Sequence, residues 1–191
     1  MLALSTTVAF ALPGTLPTAR ATLAAALDLE ALVRSSTLVV EGRVERASSR
    51  FDALGRIVTD AEVRVLHVTR GHVAVGTSVI VRSFGGEIGE TAMRIEGEPA
   101  LEPGLRAVFF LRAGAGGGYF RPVGMSQGVL PIVEAPAGDL VLPGAGGLAL
   151  VRQDARGVLA PAAPALSGPT PLAELRARLA RLAHVTGEVR R

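Results

Sequence analysis

Apolar and polar residues alternate along much of this 191-residue chain. Between residues 57 and 65 the alternation is strict. Ile57, Thr59, Ala61, Val63 and Val65 fall on one side of an extended backbone, and Asp60, Glu62 and Arg64 on the other, which predicts a half-buried strand. Upstream, Leu38, Val40 and Val44 set against Glu41, Arg43 and Glu45 predict a partner strand, with a turn at Phe51-Asp52-Ala53-Leu54-Gly55 between them. Gly71 and Gly76 bracket a tight connection to a third strand over residues 77–84. Residues 105–112 are nearly all apolar, which predicts a central strand buried on both faces. The glycines of 114–118 turn the chain into a hairpin partner over 119–123, and 128–133 predicts one more short strand.

Near both ends the period changes from two to that of a helix. Asp28 caps a short helix carrying Leu29, Leu32 and Val33, and Ser35-Ser36-Thr37 ends it. Thr170 as cap and Pro171 in the first helical position open a C-terminal amphipathic helix over 170–184. Its stripe is Leu172, Leu175, Leu179 and Leu182, with Arg176, Arg178 and Arg181 off the stripe, so it is expected to dock on the strands. Between strands and helix, residues 134–169 form an Ala/Gly/Pro-rich extension. A small hairpin between Leu140-Val141-Leu142 and residues 148–152 is expected there, followed by linker-like sequence over 160–168.

The first segment reads as an address. Residues 2–12 are apolar and uncharged, Pro13, Gly14 and Pro17 follow, and Ala19-Arg20-Ala21 supplies a small-residue cleavage triplet. These are the h-region and cleavage site of a secretory signal peptide over residues 1–21, although no basic residue precedes Arg20. The apolar run is too short to span a bilayer. Export to the periplasm or the extracellular space is expected, with no stable membrane insertion after cleavage.

Composition removes several classes of chemistry. The 20 basic residues exceed the 17 acidic by only three, and all 20 are arginine, which drives the calculated pI to about 10.8 without any basic patch. The arginines are scattered, apart from Arg176, Arg178 and Arg181, and no aromatics are interleaved with them, so no nucleic-acid partner is expected. The absence of cysteine excludes disulfides, thiolate nucleophiles and cysteine metal sites. The absence of lysine excludes a Walker loop.

The run Ser36-Thr37-Leu38-Val39-Val40-Glu41-Gly42-Arg43-Val44, the strand end Val65-Leu66-His67-Val68-Thr69-Arg70-Gly71 and the later Pro103-Gly104-Leu105-Arg106-Ala107-Val108-Phe109-Phe110-Leu111 share an order with a known family. Over residues 28–133 the chain resembles the netrin-like modules, which include tissue inhibitors of metalloproteinases, and their cysteine-free relatives in secreted bacterial proteins. The resemblance implies a mainly β fold: a five-stranded OB-like Greek-key barrel, here with a short N-terminal helix and a C-terminal amphipathic helix. The family's inhibitors chelate zinc through an N-terminal cysteine, and this chain has none.

Four constellations invite a chemical reading. Gly124-Met125-Ser126-Gln127-Gly128 fits the nucleophile elbow of serine hydrolases, but Val129-Leu130-Pro131-Ile132-Val133 follows where a helix is required, so a turn between strands is expected. His67 and His72 lie five residues apart with no third ligand in register, and His67 is expected on the inward face behind Val63 and Val65. The Gly-rich stretches at 85–89 and 114–118 do not open helices, as a phosphate cradle would require. Residues 85–104 form a long loop with five carboxylates, Glu87, Glu90, Glu96, Glu98 and Glu102, which read as solvated charge. A long loop in a short-looped barrel is where a binding surface is expected, at Gly85, Gly86, Glu87, Glu90, Arg94, Glu96 and Glu98. The sequence therefore predicts a non-catalytic exported module that contacts a protein partner through this loop, with no cofactor and no metal. A secreted protease inhibitor and a serine esterase at Ser126 are the alternatives.

Overall fold

A computed structural model describes residues 22–188 of the chain, with side chains to residue 183. The expected leader over 1–21 and the side chain of His184 lie outside the described residues. Strand β1 (Thr22–Ala25) comes first, then helix α1 (Leu29–Ser35), whose N-terminus is capped by the Asp28 carboxylate accepting from the Ala31 N–H at 2.8 Å. β2 (Leu38–Phe51) and β3 (Ile57–Arg70) form the long hairpin predicted by the alternation, and β4 (Ser78–Phe84) extends it. A short hairpin of β5 (Gly86–Ile88) and β6 (Thr91–Met93) follows. β7 (Arg106–Ala113) then returns onto β2, and β8 (Phe120–Pro122) pairs antiparallel with β7 and parallel with β4.

The last pairing closes β2, β3, β4, β8 and β7 into a five-stranded barrel. Closure leaves the central strands with no free edge. A single 3-10 turn at Met125–Gly128 leads into β9 (Val129–Val133), which pairs with the opposite end of β7. β10 (Leu140–Val141), β11 (Leu148–Gln153), β12 (Leu159–Pro161), β13 (Thr170–Pro171) and helix α2 (Leu172–Glu188) complete the chain.

Two cores explain the sequence pattern. The barrel interior holds Leu38, Val40, Val44, Val63, Val65, Phe109 and Leu111. A second core between the barrel wall and the two helices holds Leu32, Val33, Val39, Val108, Phe110, Leu175 and Leu179. β2 and β7 lie between the two, so their apolar runs are buried on both faces. Gly42 stands where a Cβ would strike Val63 Cγ1 and approach the Arg64 carbonyl, so β2 and β3 meet there without a side chain between them.

Several expectations are corrected. Glu41 is on the outer face of its strand but is not wet: it is 3% exposed beneath α2, where Arg176 Nε and Nη2 each donate to its carboxylate at 2.6 Å. His67 does not point inward. A one-residue irregularity pairs Gly42 with Val65 but Glu41 with His67, which moves His67 to the outer face, its Nδ1 3.7 Å from Glu41. The hairpin expected between Leu140-Val141-Leu142 and residues 148–152 does not form, and within 134–169 β11 pairs antiparallel with β12 instead. β10 pairs with β9 and β13, because Val141 completes the outer core, whereas β11 lies between β1 and β12. Thr170 belongs to β13 and its hydroxyl donates to the Gly168 carbonyl at 3.2 Å, so it does not cap α2. The first helical N–H, at Leu172, donates to the Asp139 carbonyl instead. The leucine stripe of α2 does dock, through Leu172, Leu175, Leu179 and Leu182. Among the described residues, no helix is long and apolar enough to cross a membrane.

Candidate functional site

At the mouth of the barrel the inner faces of β2, β3 and β4 change from aliphatic to hydroxyl side chains. Ser49 Oγ and Thr59 Oγ1 lie 3.0 Å apart, and Thr59 donates to the Gly85 carbonyl at 2.7 Å. The Glu87 N–H donates to Ser49 Oγ at 3.3 Å. These bonds fasten β5 across the barrel end. Gly86 fits there because a Cβ on it would strike both hydroxyl oxygens. Beyond β6 the chain runs back over the mouth, and Leu101 plugs the barrel core. Facing this segment is the Pro143-Gly144-Ala145-Gly146-Gly147 loop between β10 and β11.

Between the two segments lies an open groove of about 880 Å³. Its floor includes Ala47, Leu101, Leu105 and Val129, and Glu87, Arg94, Glu96 and Glu102 stand along its sides. The two walls are tied together through Ser126. The Ser126 N–H donates to the Gly97 carbonyl at 2.9 Å, and the Ser126 hydroxyl donates to the Gly146 carbonyl at 3.1 Å. Ala145 holds φ +148°, and Met125, whose Cε approaches Gly97, holds φ +61°. Among the described residues these are the non-glycine positions with positive φ; Ala145 lines the groove, and Met125 directly precedes the lining residue Ser126. A strained backbone kept at one place by its surroundings is a feature of binding surfaces.

The predicted surface residues separate into two groups. Gly85, Gly86, Glu87, Arg94, Glu96 and Glu98 all line the groove, whereas Glu90 is exposed at the β5–β6 turn and does not. Arg94 Nε donates to Glu96 at 3.1 Å, and the arginine itself is almost fully exposed. Glu98 departs from the reading of solvated charge. Its side chain is 6% exposed, it accepts from the Phe84 N–H at 3.2 Å, and it pairs with Arg121 Nη2 at 3.1 Å. Burial pushes its carboxyl above the ordinary value, against the Phe84 N–H and Arg121, which pull it down. Arg121 also lies over the Phe84 ring at 4.0 Å, with Arg56 near the same ring at 4.8 Å.

The outer wall of the barrel is charged but locally balanced. Arg46 pairs with Glu62, Arg64 with Glu45, and both Arg50 and Arg82 with Asp60. Burial raises the Asp60 carboxyl, yet the bonds from Arg82 and Arg50 outweigh it and hold the group below its ordinary value. The clustering of Arg82 over the Tyr119 ring at 3.7 Å is a feature sequence reading missed, since the two residues are brought together only by the β4–β8 closure.

Ser126 is buried, and its hydroxyl is occupied by the Gly146 carbonyl. Among the described residues no titratable side chain is hydrogen-bonded to it. The neighbouring Gln127 is a staple: its Oε1 accepts from the Leu27 N–H at 2.9 Å, and its Nε2 donates to the carbonyls of Ala25 and Gly124 at 3.1 and 3.3 Å. The second groove wall, residues 143–147, was also missed. Its signal was a cluster of glycines around one alanine, which falls between the two strands of the hairpin expected there. No protein-family model matches the chain, and no curated protein matches its sequence.

Proposed function

We propose that this chain is an exported, non-catalytic binding module that holds a segment of a protein partner in the groove at the barrel mouth. The observation that carries the reading is the groove itself. It is open, has an apolar floor and two backbone-rich walls, and is held by hydrogen bonds that span residues distant in sequence. Glycines along both walls leave main-chain groups within reach of another backbone. The closed five-stranded barrel supplies a rigid frame for the groove, and the engaged Ser126 hydroxyl favours binding over acyl transfer. Export rests on the leader pattern over residues 1–21.

Removing residues 87–98 outright would also remove the buried Glu98 and the Gly97 anchor, so a point label is the cleaner test. A photo-crosslinking residue at Ile95, which borders the groove, should capture a protein partner in exported material. The same label at Val75, in the exposed turn before β4, should not. Equal capture at both positions, or none at Ile95, would overturn the proposal.

A further inference from the structure

We infer that the partner segment enters the groove as an added strand, an extended stretch in which apolar side chains alternate with cationic ones, paired along the outer edge of β6. The inference rests on the groove being the partner site. β5 and β6 form a two-stranded sheet, in which β5 packs on β2 and β3 while β6 pairs only with β5 among the described residues. The outer edge of β6 is therefore unpaired, and Ala92, Met93 and Arg94 place it along the groove. An exposed strand edge is a template for an incoming strand, because its N–H and C=O groups have no partner except water.

An added strand sends alternate side chains to opposite sides. One set would meet the apolar floor at Ala47 and Leu105, and the other the glutamates along the groove. Four glutamates and one arginine line the groove, in a chain whose net charge is +3, so the groove is locally opposite in sign to the molecule. Glu98 is already engaged by Arg121 and Glu96 by Arg94, whereas Glu87 and Glu102 have no ion-pair partner among the described residues. The alternate side chains facing Glu87 and Glu102 are therefore cationic, since a carboxylate there would be repelled and an apolar group would leave the charges unmatched.

The test uses the full chain and a fluorescein-labelled heptapeptide of alternating valine and arginine, read by fluorescence anisotropy. Two control peptides accompany it: one with glutamate in place of arginine, and one with every second backbone amide N-methylated. The arginine peptide should bind and the other two should not, because one has the wrong charge and the other lacks the N–H groups a ladder needs. The double variant Glu87→Gln/Glu102→Gln should bind the arginine peptide about fivefold more weakly, the effect of two exposed charge contacts. Equal binding of arginine and glutamate peptides, full binding of the N-methylated peptide, or an unchanged double variant would each overturn the inference. If Ile95 still crosslinks a protein that the arginine peptide does not displace, the strand and charge assignment falls while the groove reading stands. If Ile95 captures nothing, both fall.

Discussion

Substituting Arg176→Met removes both donors from a carboxylate that has almost no water to turn to. The Glu41 side chain is 4% exposed and, among the described residues, receives its hydrogen bonds from this one guanidinium, at 2.6 Å each. Beside it among the described residues stands His67, its Nδ1 3.7 Å from the carboxylate and without a hydrogen bond to it. Breaking a buried ion pair from one side costs about 3–5 kcal/mol, because the remaining charge stays buried. Arg176 is itself 45% exposed, so water entering the gap replaces part of what it supplied. The expected loss is therefore about 2–3 kcal/mol. In a chain of 191 residues each kcal/mol moves Tm by roughly 2–4 °C, which gives a drop of about 4–12 °C in a thermal melt followed by circular dichroism. The decisive comparison is the double variant Glu41→Leu/Arg176→Met. It removes the stranded charge as well, and should recover most of the loss. A single variant that melts with the wild type, or a double variant as unstable as the single, would show that α2 is not held by this pair.

Two further outcomes follow from the same geometry. The Glu98 carboxyl is raised in the folded state by burial, so the stability it contributes is present below its unfolded value and is lost as pH rises through the raised one. Glu98→Gln removes that titration, so the variant's Tm relative to wild type should be higher at about pH 7 than at about pH 4, and a difference that is flat with pH would contradict it. Gln127→Ala deletes three hydrogen bonds, two of which hold the chain from Ala25 to Leu27 against the turn before β9. It should cost about 1–3 kcal/mol in denaturant unfolding and speed amide exchange in β1 more than in β7.

Much of the barrel was legible because strand periodicity is local. The alternation over residues 57–65 depends only on which side of one backbone each residue falls, and β3 follows it. The unbroken apolar run of β7 and the leucine stripe of α2 are equally local signals, and both elements bury the faces predicted for them. Reading failed where a second segment decided the outcome. Glu41 continues the polar side of β2 and looks wet until α2 arrives from far along the chain with Arg176. Thr170 has the chemistry of a helix cap but is used as a strand residue, because β10 lies beside it.

The candidate site shows the same division. Its first wall was found as a long, charged, glycine-rich stretch, and six of the seven residues chosen there line the groove. Its second wall, residues 143–147, could be recognised only after β9 and β10 had carried the chain back across the barrel mouth. Glu98 was counted among the solvated charges because a sequence does not show that Phe84 and Arg121 surround it.

By itself, then, the sequence determined the five barrel strands, the two helices and most of the faces they bury, since those follow from residue spacing and the geometry of a single backbone. The tertiary structure alone decided which polar residues became buried partners, where the His67 face reversed, and that two segments about fifty residues apart would form one groove. Those outcomes depend on contacts between distant elements, and no local pattern encodes them.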